Sequence, residues 1–220
     1  WKKKSPITIF FRYFEKKILN NADTIVSLTY VGANLLKDSY LKKNSKTRLV
    51  VIPTCVGFKN KPYNLFQKKK ITKELTITHL GAIGTRYNFE DYIKLGLLLN
   101  SRINTFYSIV NKNEHSKIHK ILKNYNISQK NYQVKYSDPQ FVYEYIINSD
   151  IGVFFPVKGF YLNGYFPTKL GEFLFYGIPI ISSSINSDVD KIIIDNEVGV
   201  IINDIEYLNN ENFDMYYSKI

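Results

Sequence analysis

Cysteine is nearly absent from this sequence. Cys55 is the only one in 220 residues, which excludes an internal disulfide framework and fits a reducing compartment. Histidine is scarce too: with only His79, His115 and His119 beside that single cysteine, a structural metal site is not expected. His115 and His119 stand at i and i+4, a spacing that can hold a metal, but a solvated helix face explains it equally well. No apolar run reaches the roughly 18 residues of a membrane span. No signal-peptide pattern is read. The start at Trp1, without a methionine, gives the expectation of a piece of a longer protein. The G-x-G-x-x-G dinucleotide fingerprint is missing as well.

What is present supports a folded domain. Hydrophobic residues make up 45% of the chain, enough for a real core. The formal charge of +11 makes anionic partners plausible: nucleic acid, acidic lipid or phosphorylated small molecules. Lys, Asn, Ile and Tyr are abundant throughout, so a compositional bias accounts for the charge as well. Short lysine clusters occur only at Lys2–Lys4 and Lys68–Lys70. No recognised nucleic-acid-binding motif accompanies them, and no nucleic-acid partner is expected.

From about Leu75 the pattern alternates between short apolar runs and helix-period segments. LTITHLG, NTFYSIV, YQVKY, DIGVFFP, IPIISS and VGVIIN read as strands. NFEDYIKLGLLLN, EHSKIHKILKNY, SDPQFVYEYIINS, PTKLGEFLFYG and SDVDKIIID read as helices between them, with a terminal helix from Asp204. This βα alternation predicts a parallel sheet covered by helices on both faces. The first sixty or so residues supply two helices and two strands, too few for a complete α/β domain. The expected division is a remnant of an N-terminal domain over residues 1–57, a Lys-rich linker over 58–74, and an α/β domain over 75–220.

Ligands in open α/β sheets bind beyond the carboxyl ends of the strands. Three loops lie there. In HLGAIGTRYNFE, Gly81 and Gly84 allow close backbone approach, and the following helix offers free N–H groups to an anion. A plain turn explains the glycines as well, and Arg86 adds weight to phosphate contact. In PTKLGEFL, Thr168 and Lys169 share one side of a helix with Glu172, while Leu170, Phe173 and Leu174 share another. An amphipathic helix with an internal Lys–Glu pair would look the same. The third, FFPVKGFYLNGYF, is either a flap over a ligand or a packed loop.

Taken in order, NADTIVSLT, LVVIPTCV, THLGAIGTRYN, YEYIINSDIGVFFPV, FPTKLGEFLFYGIPIISS and NEVGVII resemble GT-B glycosyltransferases of family 4, across nearly the whole chain. The match is closest to polysaccharide-building members with a G-S-L-G-T-W-Y loop and a P-T-K-L-G-E helix. The resemblance implies two Rossmann-like domains facing across a cleft. The C-terminal one holds a nucleotide sugar, UDP-linked by expectation, and the N-terminal one holds most of the acceptor site. It places Glu172 on the ribose hydroxyls, with Lys169, Gly84 and Thr85 near the diphosphate and Thr168 on the same polar side. Arg86 stands where relatives often carry tryptophan. A second glutamate found in many members falls at Gly164 here, so sugar selectivity is not legible.

The resemblance therefore implies the donor-binding half of a retaining glycosyltransferase that needs no metal or other cofactor. Its acceptor would be a glycan or a lipid-linked sugar, and its location cytoplasmic, peripheral at the inner face of an anionic membrane. No catalytic residue is identifiable. The isolated chain is expected to be inactive, and its exposed N-terminal elements to favour self-association. The alternatives are a nucleotide-sugar-binding module without transferase activity and a sugar-nucleotide epimerase of the same fold.

Overall fold

The computed structural model describes residues 5–57, 74–208 and 210–218. Nearly all of the expected linker, residues 58–73, and both lysine clusters lie outside them. The chain falls into two compact units: Trp1–Thr54 with Phe160–Phe166 and Asn186–Asp188, and Cys55–Gly159 with Pro167–Ile185 and Val189–Ile220.

The first unit begins with α1 (Pro6–Asn21), whose cap is Ser5: its side chain accepts from the Thr8 N–H at 3.2 Å, and Pro6 follows where a missing N–H costs nothing. No residue of α1 is buried. Asn20 ties its end down, donating to the Tyr40 carbonyl and accepting from the Lys42 N–H, each at 2.8 Å. β1 (Thr24–Ser27) pairs in parallel with β2 (Arg48–Val51), and α2 (Tyr30–Ser39) connects them. Thr29 caps α2 and its hydroxyl donates to the Asn163 carbonyl. The second half of the aromatic connection, Phe160–Phe166, belongs to this unit. It forms a 3₁₀ turn over Phe160–Gly164, and the Asn186 amide donates to the carbonyls of Leu162 and Tyr165.

The second unit is a six-stranded sheet in the order β5-β4-β3-β6-β7-β8, with every pair parallel. Its strands are β3 (Glu74–Leu80), β4 (Asn104–Val110), β5 (Tyr132–Lys135), β6 (Ile151–Phe154), β7 (Ile180–Ser182) and β8 (Gly199–Ile201). The helices α3 (Phe89–Asn100), α4 (His115–Asn124), α5 (Tyr143–Ile146), α6 (Thr168–Phe175), α7 (Ser187–Asp195) and α8 (Asn210–Tyr217) follow in turn. The chain runs outward from β3 in one direction, returns, and runs outward from β6 in the other. With the right-handed crossovers that parallel strands take as a rule, this order places helices on both faces, the doubly wound Rossmann-like arrangement.

Apolar runs without alternation become strands buried on both sides. Leu75, Ile77, Ile109, Ile151, Val153 and Ile181 are all within 2% of complete burial, each worth about 1.5–3 kcal/mol against exposure. Tyr92 fills the centre and donates its hydroxyl to the carbonyls of Ile77 and Ser108 at 3.0 and 3.3 Å, so its polar end is satisfied inside the core. One expected helix is largely absent. Residues 137–149 form a 3₁₀ turn at Pro139–Phe141 and a single α turn at Tyr143–Ile146, because aromatic and β-branched side chains around Pro139 are poor helix formers.

Candidate functional site

The switch point lies between β3 and β6, where the strand order reverses. The loops leaving those two strands flank it. An antiparallel bridge between Tyr87 and Pro156 joins them, with the Asn88 N–H donating to Phe155 O at 2.7 Å and the Val157 N–H to Arg86 O at 2.9 Å.

The glycine loop requires its glycines. Gly81 and Gly84 sit at φ +100° and +79°, a region that side chains disfavour. Each also faces an ammonium: a Cβ at Gly81 would lie 2.9 Å from Lys169 Nζ, and one at Gly84 would lie 3.1 Å from Lys117 Nζ. Asn111, buried at the end of β4, holds the loop from below by donating to the Gly81 carbonyl at 3.0 Å. Glu114 accepts from the Ile83 N–H at 2.9 Å. Gly84, Thr85 and Arg86 form the exposed rim.

The helix after this loop is a poorer anion site than its position suggests. Glu90 and Asp91 occupy the first turn of α3 and already complement its positive end. α6 differs: it starts without a side-chain cap and without an acidic residue in its first turn. Pro167 takes the capping position, Thr168 begins the helix in the open, and Lys169 stands beside the free end.

Lys169 Nζ is buried and has no hydrogen-bond partner among the described residues. It lies 3.6 Å from the centre of the Tyr87 ring. No ion pair with Glu172 forms among the described residues, so the internal Lys–Glu pair is not what fixes this helix. Burial draws the ammonium down to about 7, with Glu172 opposing. Glu172 is half-buried, and the same desolvation raises its carboxyl, against the pull of Lys169. Beneath them lies His79 of β3, enclosed by the rings of Tyr87, Phe89 and Tyr92 at 5.8, 5.5 and 5.5 Å. Burial first, and the Lys169 charge second, draw its imidazole down to about 3, against backbone groups of Ala82 and Val153. Neither ring nitrogen reaches a partner at full hydrogen-bonding geometry among the described residues.

The structure thus brings Lys169 and the glycine loop together, with Glu172 one turn further along α6. It adds Lys117, which sequence reading missed because α4 lies a whole βα unit away. It separates the two histidines of α4: His115 pairs with Asn111 O at 2.7 Å and His119 with Tyr132 Oη at 3.1 Å. No cluster of three metal-ligating side chains occurs among the described residues. A cleft of about 380 Å³ opens beside the loop at Gly84, Tyr87, Asp91, Lys158 and Asn203. Its own ion pairs, Lys94–Glu206 at 2.8 Å and Lys158–Asp204 at 3.7 Å, already satisfy much of its charge.

No family model and no curated protein matches the sequence. Solved structures do. The pneumococcal O-GlcNAc transferase GtfA, in complex with UDP and GlcNAc, superposes with a TM-score of 0.66 at 14% identity over 94% of this chain and 39% of that one. A mutant of S. aureus TarM, in complex with Fondaparinux, alpha-GlcNAc-glycerol and UDP, gives 0.64 at 17% identity over 93% and 38%. A glycosyltransferase from Rickettsia africae gives 0.63 at 16% identity over 95% and 57%. The chain thus spans about two fifths of the first two. At these identities the likeness establishes the fold, the Rossmann-like α/β arrangement of GT-B glycosyltransferases.

Proposed function

We propose that this chain is the donor-binding part of a retaining, family-4-type glycosyltransferase that uses a UDP-linked sugar. The observation that carries the reading is the buried ammonium of Lys169, without a hydrogen-bond partner among the described residues and held against Gly81 at the switch point beside the uncapped start of α6. A buried cation without a counter-charge is costly in an empty site and favourable once a diphosphate arrives. Glu172, a turn further on, suits the vicinal hydroxyls of a ribose. The complexes of GtfA and TarM with UDP support the choice of nucleotide.

In this reading Lys169, Lys117, Arg86 and the N–H groups opening α6 stabilise the departing diphosphate, and no metal is required. Residues 1–57 belong to the acceptor domain, and the acceptor is a glycan or lipid-linked sugar in polysaccharide assembly. The exposed aromatics of α1, Phe10, Phe11, Tyr13 and Phe14, stand among Arg12, Lys16 and Lys17. That mixture suits a cytoplasmic enzyme working at an anionic membrane face. No helix among the described residues is long and apolar enough to cross a membrane.

Calorimetric titration of the chain with UDP, uridine and orthophosphate tests the assignment. UDP should bind at least tenfold more tightly than uridine, the worth of one charge-assisted hydrogen bond of about 1.5–3 kcal/mol. Equal affinities for UDP and uridine, or no binding of any nucleoside diphosphate, would remove the proposal.

A further inference from the structure

The geometry points to Tyr87 as a positioning residue of this site: its ring face holds the Lys169 ammonium in place of a counter-ion, keeping the cation charged and aimed at the glycine loop for an anionic ligand. The inference rests on the donor-site reading above and adds to it a residue that acts through Lys169.

The surroundings of Lys169 leave the ring this task. Among the described residues, the groups facing the ammonium are Glu172 from its own helix, His79 from β3, and Gly81 and Tyr87 from the loop. Glu172 forms no ion pair with it. His79 is neutral near pH 7 and offers no hydrogen bond. Gly81 contributes a surface without a side chain. What remains is the negative face of an aromatic ring at 3.6 Å, well inside the roughly 6 Å reach of a cation–π contact, in a desolvated setting where such contacts are strongest. The ring is itself fixed: Tyr87 is 6% exposed, bridges to Pro156 and accepts the Gly84 N–H on its carbonyl at 2.9 Å. The same residue therefore closes the glycine loop with its backbone and holds the cation with its side chain.

This predicts a coupling that packing alone would not produce. The anion binds the charged form of Lys169. Weakening the ring's negative face favours the neutral amine, so affinity falls only where the amine can lose its proton. Burial already draws that transition close to neutrality. Weakening the ring should therefore cost little at acid pH and progressively more above pH 7.

The test replaces Tyr87 with phenylalanine and then with mono-, di- and trifluorinated phenylalanines, which drain the ring's negative face with little change of shape. UDP and uridine affinities are measured on the full 220-residue chain at pH 6 and pH 8. Thermal unfolding of each variant verifies folding. The expected result is a stepwise loss of UDP affinity, about tenfold over the series at pH 8 and less than about twofold at pH 6, with uridine unmoved. In a Lys169→Met background the dependence should vanish. A flat UDP series would overturn the role of Tyr87 and leave the donor site standing. Parallel loss of UDP and uridine would overturn it too, as the mark of plain packing. Failure of the unsubstituted chain to bind UDP would overturn both.

Discussion

Phe173 of α6 lies flat against Gly152 of β6, so close that a Cβ on the glycine would meet the ring's Cγ at 2.5 Å. Phe173 and Gly152 are both fully or almost fully buried, and this contact sets how near α6 comes to the sheet. The helix that carries Lys169 and Glu172 is thereby seated by a missing side chain on the strand below. Gly152→Ala should destabilise the chain by about 1–3 kcal/mol through overpacking. It should weaken UDP as well, because α6 is pushed outward. Chemical denaturation and UDP titration on the same variant check both, and unchanged stability would show that the helix has slack.

Removing the charge of Lys169 should separate stability from binding. The folded ammonium lies at about 7, below its ordinary 10.5, so the unfolded chain binds more protons between those values. Stability contributed by this site therefore rises with pH across that window, and the full penalty is present below pH 7. Lys169→Met should raise Tm by several degrees at pH 6–7, since 1 kcal/mol moves a domain of this size by about 2–4 °C. The gain should shrink towards pH 10, while UDP affinity falls about ten- to a hundredfold. A variant that loses stability at pH 6 would contradict the account.

His79 is drawn down to about 3 from its ordinary 6.5, so the unfolded chain binds the extra proton between those values. Its contribution is intact above about pH 6.5 and is lost as pH falls towards 3. His79→Phe should flatten the acid limb of the stability profile between pH 6 and pH 4. Thermal scans across that range decide it, and an unchanged slope would assign acid lability elsewhere.

For Glu172 the informative comparison is between UDP and its 2′-deoxy analogue. If the carboxylate accepts from the ribose, the analogue should bind more weakly by the worth of one hydrogen bond to a charged group, about 1.5–3 kcal/mol. Glu172→Ala should shrink that gap towards zero. The four-way cycle largely cancels any global loss of stability, and a gap that survives the mutation removes Glu172 from the site.

Much of the fold was legible because its cause is local. Strands such as Ile151–Phe154 are buried on both faces and read as unbroken apolar runs. The helix Phe89–Asn100 was legible from the apolar periodicity of NFEDYIKLGLLLN. The failure at residues 137–149 is also local: Pro139 started a helix that its aromatic followers did not continue. The site was legible only in part. Lys169 and Glu172 stand at i and i+3, which suggested an internal pair, but the lysine instead reaches the glycine loop and Tyr87. No spacing rule encodes that choice. Lys117 reaches Gly84 from another element altogether, a proximity that exists only once β3 and β4 are side by side.

The central strand has a consequence for synthesis. β3 emerges first of its sheet and gains β4 soon after, but its other flank is closed by β6, where the Thr76 N–H donates to Asp150 at a separation of 74 residues. Until β6 leaves the ribosome, β3 presents an apolar edge with open hydrogen-bonding groups, the kind of template that recruits other chains. A truncation ending after β5 would keep three strands and expose that edge permanently. Soluble expression should therefore depend less on how much of the chain is made than on whether Ile151–Phe154 is included.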